Sequence, residues 1–220
     1  MNYRDENRAA IALIAKAIGA LNNDAVFVGG ATIGLYADPD IGADTRPTKD
    51  VDFFLEITTP HQLETVREQL VQCGFTQSPE DAVLCRFRYA DIKVDVMSTT
   101  AIGWAPANQW FAEGLPYVFK EPVTDNLQVQ LLPLPYLLAT KFAAFNDRGK
   151  DPRTSHDMED IVYLLSSNTR WENEIGAAPQ QVKDYVTQQM KTISAETMLA
   201  HLADTENVKL LYERIAAFVN

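Results

Sequence analysis

Cysteine is scarce in this chain: Cys73 and Cys85 are the only two in 220 residues, and they lack the paired spacing of a metal-binding knuckle. That excludes a disulfide-built scaffold and a cysteine zinc site, so both thiols are expected as small apolar residues, kept reduced in a cytoplasmic setting. The three histidines, His61, His156 and His201, are scattered without ligand spacing, and surface roles on helices are expected for them. Long hydrophobic runs are missing as well. The most apolar segment, Leu131 to Phe145, is too short to span a bilayer, contains Pro133 and Pro135 and carries Lys141, so no membrane association is expected. The first residues, Met1 to Glu6, are polar and mixed in charge, unlike a secretory signal. Positive charge is outnumbered: 19 Lys and Arg stand against 30 Asp and Glu, a net charge of −11. This excludes a broad electrostatic footprint for nucleic acid while leaving room for a local basic groove.

What is present is the composition of a globular protein, with 46% hydrophobic residues and no repeat or low-complexity tract. The apolar stripe Ala9, Ile11, Leu13, Ile14, Ala17, Ile18 and Leu21 predicts a helix over residues 6–21. A strand is expected at Ala25 to Val28, a short helix at Ala31 to Tyr36, a loop from Ala37 to Lys49 and a strand from Asp50 to Glu56. Thr59-Pro60-His61-Gln62 has the form of a capping box with proline at the first helical position, and that helix should stop before Gly74. Ala82 to Tyr89 and Asp91 to Met97 alternate as two strands joined by a tight connection at Ala90-Asp91. Residues 98–126 carry no clear periodicity. Gln128 to Leu132 reads as a short strand, Pro135 to Phe145 as a helix, and Asp157 to Leu165 as another with Thr154 as its cap. Two or three more helices are expected over residues 174–219. The fold class that follows is α+β: a small mixed sheet flanked by helices in residues 1–125, then a helical half in residues 126–220.

The chemistry concentrates in three places. Gly29 and Gly30 directly follow the apolar run Ala25 to Val28, where a chain without side chains turns sharply and turns its amides toward an anion. After nineteen intervening residues comes Asp50-Val51-Asp52, whose alternate residues point to one side of a strand while Val51, Phe53 and Leu55 face the core. Asp95 repeats that placement on a later strand. Three carboxylates on one face repel one another unless a divalent cation neutralises them, so the pattern suggests magnesium and nucleotide phosphates. Two such ions would activate an attacking hydroxyl and neutralise the leaving pyrophosphate, with Asp50 and Asp52 bridging them and Asp95 completing the site or accepting the proton. Thr32 and Thr48 are candidate hydroxyl donors.

The glycine pair, Arg46-Pro47-Thr48-Lys49-Asp50-Val51-Asp52 and the apolar-flanked Asp95 resemble the signature of the DNA polymerase β-type nucleotidyltransferase superfamily. Lys141, Arg148, Lys150 and Asp157-Met158-Glu159-Asp160-Ile161 resemble a second block of its AbiEii/AbiGii-like branch, which includes toxins of type IV toxin–antitoxin systems. The resemblance implies a nucleotidyltransferase fold whose helical half completes the nucleotide cleft. It implies Asp50, Asp52 and Asp95 as ligands to two Mg2+ ions, Asp95 also as base. Gly29, Gly30, Thr32, Thr48, Lys141 and Asp157 are then nucleotide-binding residues, Asp157 orienting Lys141 or the nucleotide. A nucleoside triphosphate (NTP) is the implied donor, tRNA or another hydroxyl the acceptor, and an antitoxin protein a partner. Gly30 stands where many members of the superfamily have serine, and the gap to Asp50 is longer than in minimal members.

Each residue also has an ordinary structural use. A glycine pair often only forms a turn, an aspartate pair can be a solvated strand edge, and Lys141 can lay its stem on apolar surface. The combination of glycines, Asp50, Asp52 and Asp95 favours a site. Arg86 and Arg88 are expected on a solvated face, Asp160 in a structural role, and Trp104, Trp110 and Phe111 in core packing. Two alternatives remain beside transfer to a macromolecule: nucleotidylation of a small antibiotic-like molecule, and a catalytically silent nucleotidyltransferase fold that only binds.

Overall fold

The computed structural model describes residues 2–40, 44–202 and 204–220. The chain divides into two compact units, one formed by Met1–Leu35 and Asp44–Pro133, the other by Tyr36–Ala43 and Leu134–Asn220. Part of the expected loop from Ala37 to Lys49 thus belongs to the helical unit, and residues 41–43 of it lie outside the described residues.

The first unit is built on a six-stranded mixed sheet. Its strands are β1 (Val26–Val28), β2 (Asp50–Leu55), β3 (Arg86–Tyr89), β4 (Ile92–Ser98), β5 (Phe119–Thr124) and β6 (Leu127–Leu131), in the spatial order β3-β4-β2-β1-β6-β5. Antiparallel β1–β2 and parallel β2–β4 pairings put the ends of β1 and the beginnings of β2 and β4 together. Phe53 and Phe54 are both fully buried, and consecutive strand residues point to opposite faces, so the sheet centre is covered on both sides. Phe53 packs on Phe27 of β1 with ring centroids 5.7 Å apart, and Phe54 stacks on Phe111 at 4.4 Å.

Three helices frame this sheet. In α1 (Tyr3–Ala17), Asn2 caps the N-terminus and Ile11, Ile14 and Ala15 are buried, as the stripe predicts. A 3-10 turn over Gly19–Asn23 replaces the expected last turn of that helix. Arg8 of α1 donates to the carbonyls of Pro122 (2.6 Å) and Val123 (3.2 Å), tying the helix to β5. The expected capping box forms at the start of α2 (Pro60–Gln72), where Thr59 accepts from Gln62 N. The third helix, α3 (Gln109–Gly114), and the strand β5 both lie in the stretch without periodicity. The short helix after the glycines is a 3-10 turn, Gly30–Leu35.

The second unit contains α4 (Leu134–Arg148), α5 (His156–Ser167), α6 (Trp171–Gly176), α7 (Gln180–Met190), α8 (Ala195–His201) and α9 (Thr205–Val219). The cap of α5 is Ser155, which accepts from Met158 N, and not Thr154, whose hydroxyl instead donates to Asp151 O. Asp38 explains why its segment joins this unit. Its backbone amide donates to Ser167 O at 2.8 Å, and its carboxylate accepts from both the amide and the hydroxyl of Thr169, which lower its pKa.

Candidate active site

The site begins where β1 ends. Gly29 has φ +78°, in the left-handed region that a side chain disfavours, and a Cβ there would collide with Asp52 Oδ2. Its glycine identity therefore has two causes, the turn and the carboxylate lying against its backbone. At Gly30 a Cβ would meet the guanidinium of Arg46, so Arg46 lies directly over the second glycine. Thr32 is fully buried and its hydroxyl donates to Gly29 O at 2.9 Å. That hydroxyl, expected as a donor to the nucleotide, is engaged in closing the glycine turn.

The segment leading into β2 is held by an unanticipated residue. Buried Asn7 of α1 donates to Thr45 Oγ1 and Arg46 O, each at 3.2 Å, and its oxygen accepts from Thr48 N at 3.4 Å. The Thr48 hydroxyl donates to Asp50 O at 3.3 Å, fixing the entry of the strand. An isolated polar residue within a helical apolar pattern is the one sequence signal for Asn7, and it says nothing of the residue's partner.

Cross-strand register then assembles a row. Val28 faces Asp52 across β1–β2, Asp52 faces Asp95 across β2–β4, and Asp95 faces Arg86 across β4–β3. Directly opposed residues share a face, so Asp52, Asp95 and Arg86 lie side by side beyond the glycine turn. Asp50, two residues from Asp52, points to the same side and pairs in register with Lys93. The structure thus brings Gly29, Gly30, Asp50, Asp52 and Asp95 together within the first unit.

Arg86 corrects the expectation of a solvated face. Its Nε donates to Asp95 Oδ1 and its Nη2 to Asp95 Oδ2, both at 2.7 Å, and Nη2 lies 3.8 Å from Asp50 Oδ2. Its side chain is 17% exposed, and its pKa is raised, first by the hydrogen bond to Asp95. Arg88 is likewise paired, with both Asp81 oxygens at 2.8 and 2.9 Å. The signal for Arg86 was present in the sequence. A two-residue connection at Ala90-Asp91 sets Tyr89 opposite Ile92, and counting outward puts Arg86 opposite Asp95. Beside this row Cys85 is 4% exposed, and burial, followed by the Asp95 charge, pushes its thiol up to about 11.

Asp50 and Asp52 are the carboxylates best suited to a divalent cation. They are hard oxygen donors on one face, and the Asp50 side chain is 40% exposed. The third does not join them in an open cluster, since among the described residues no three His, Cys, Asp or Glu side chains converge as a metal set. Asp95 has both oxygens engaged by Arg86 instead.

The second block lies in the helical unit. Lys141 on α4 is 7% exposed, and its Nζ donates to Asp160 Oδ2 at 2.7 Å while Asp157 Oδ1 is 3.7 Å away. Asp157 in turn binds Arg148. Asp160, expected in a purely structural role, is therefore the nearer partner that orients Lys141. Asp157 and Asp160 on α5 are three residues apart and share a helical face.

Comparison with known proteins identifies the family and the fold. Over residues 12–218 the sequence matches the family model described as the nucleotidyl transferase AbiEii toxin of the type IV toxin–antitoxin system. No curated protein matches. Among solved structures, the crystal structure of an antigenic nucleotidyltransferase-like protein from Paracoccidioides brasiliensis is similar, with TM-score 0.53 and 15% identity over 90% of this chain and 94% of that one. The solution structure of the antibiotic-resistance factor ANT(2'')-Ia matches with TM-score 0.41 and 14% identity, over 95% and 98% of the two chains. The mixed sheet flanked by helices is thus a nucleotidyltransferase-like fold, and the match over nearly the whole sequence makes the protein a nucleotidyltransferase. The chain belongs to the AbiEii nucleotidyltransferase toxin family.

Proposed function

We propose that the protein transfers a nucleoside monophosphate from an NTP, such as ATP, to a hydroxyl of a macromolecular acceptor, tRNA, in a toxin–antitoxin or phage-defence setting. The observation that carries the site assignment is the contact of the Gly29 turn with Asp52, which sets a phosphate cradle directly against a strand-borne carboxylate. The amides of Gly29 and Gly30 bind the triphosphate tail, and Arg46 over Gly30 adds positive charge there. Asp50 and Asp52 would hold Mg2+, which when bound polarises the α-phosphoryl oxygens and offsets the charge of the departing pyrophosphate. Thr48 keeps Asp50 at the strand entry, and Thr32 keeps the glycine turn closed. Residues 1–125 carry this chemistry; within residues 126–220, Lys141 and Asp157 are assigned as nucleotide contacts by the family resemblance, with Asp160 holding the lysine amine. An NTP donor and a tRNA acceptor place the reaction in the cytoplasm, and the family supplies the expectation of an antitoxin partner.

The test is incubation of the purified protein with each α-labelled NTP, magnesium and total cellular RNA or lysate, beside Asp52→Asn. Label in the tRNA fraction, present only with intact Asp52, is the expected result. Label in small molecules would replace tRNA by an antibiotic-type acceptor, and NTP binding without transfer to any fraction would contradict the enzymatic reading.

A further inference from the structure

The face that carries the three aspartates also carries a cation. The Arg86 guanidinium grips Asp95 through two parallel hydrogen bonds of 2.7 Å and extends one nitrogen to within 3.8 Å of Asp50. Both partners are mostly buried, at 17% and 18% exposure, which sets this pair apart from a loose surface contact. Such a fork is the most constrained geometry available to an arginine and a carboxylate, and the arginine charge is permanent. Lys93, in register with Asp50, and Arg46, over Gly30, add further positive charge beside these carboxylates. A metal held by Asp95 would stand within a few ångströms of a like charge in a partly dry environment, where repulsion is poorly screened. The absence of any converging set of three ligands among the described residues agrees with this.

Building on the proposed nucleotidyl transfer, we infer that Arg86 is a positioning residue that stands in for a second cation: it withdraws Asp95 from the ligand set and leaves Asp50 and Asp52 to hold a single divalent ion. Asp95 then holds the guanidinium in place and does not act as the base for the acceptor hydroxyl.

The experiment counts Mn2+ bound per chain by electron paramagnetic resonance of the free ion. It uses the whole protein with a saturating NTP analogue whose α–β bridge is methylene, so that no transfer occurs. The wild type is expected to bind one Mn2+. Asp52→Asn should weaken that ion at least tenfold, and Asp95→Asn should hold it within threefold of the wild-type affinity. Arg86→Met should gain a second Mn2+, and Arg86→Lys should return the count to one; a purely structural arginine would not move this count. Two ions in the wild type, loss of the ion in Asp95→Asn, or a count unchanged in a folded Arg86→Met would overturn the inference while leaving nucleotidyl transfer intact. Failure of the wild type to bind the analogue at all would overturn both. Should Arg86→Met fail to fold with Asp95 left unpaired, Arg86→Met/Asp95→Asn removes the orphaned charge; one retained Mn2+ supports the inference and its loss overturns it.

Discussion

A cluster of opposite charges on the sheet of the first unit and another on the helices of the second are built on different principles. The cluster on the sheet, Asp50, Asp52, Asp95 and Arg86, is partly open, and acids outnumber the arginine among them. The cluster on the helices, Lys141, Asp157, Asp160 and Arg148, balances two cations against two carboxylates, and its lysine and both aspartates are buried. An excess of like charge at a strand edge costs stability and suits a ligand that cancels it. A balanced buried network is self-sufficient, and it is expensive to break because the charges that remain are held away from water. Substitutions in the helical cluster should therefore be felt first in folding, and those on the sheet first in transfer.

The largest expected effect on stability is in the helical cluster. Lys141→Met leaves Asp160 and Asp157 without their shared cation and should cost about 3–5 kcal/mol, read from the urea midpoint at constant slope. A cost below about 1 kcal/mol would erase the distinction between the clusters. Next comes Gly29→Ala, which forces a side chain into a left-handed turn and against Asp52. It should cost about 1–3 kcal/mol and abolish transfer, because the carboxylate is displaced. Thr59→Ala, past the opposite end of β2 from Asp50 and Asp52, removes one cap and should cost about 1 kcal/mol with transfer unchanged. The smallest effect sharpens the electrostatics of the sheet. With its thiol pushed up to about 11, Cys85 in the folded protein should alkylate more slowly than half-buried Cys73, and its rate should rise about tenfold per pH unit below that value. Mass spectrometry of the two labelled peptides follows this directly, and equal rates near neutral pH would contradict the buried, acid-flanked setting of Cys85.

The legible parts of the fold were those with local signals. Strand β2 announced itself by alternation, α2 by a complete capping box, and the turn after β1 by two glycines following an apolar run. Strand β5 was missed because Pro122 interrupts it and its residues are mostly exposed, so its pairing with β6 and its tether to Arg8 leave no local trace. The α3 helix has only six residues, too few for a period to emerge. In the site, the residue types were readable and their partners were not. Asp52 and Asp95 stood out, but the contact of Asp52 with Gly29 depends on register between distant segments. Arg86, expected on a solvated face, had a partner that counting outward from the two-residue hairpin connection would have given. Asp160 illustrates the opposite limit: spacing put it on the same helical face as Asp157 without saying which of them Lys141 would meet.

The measurement that bears most directly on this account pairs label transfer with thermal melting for Asp52→Asn. The account predicts that transfer falls by at least about 100-fold, equivalent to about 2.7 kcal/mol of barrier, while the protein keeps a cooperative thermal transition. Transfer retained near the wild-type rate, or a loss that merely tracks unfolding, would contradict it.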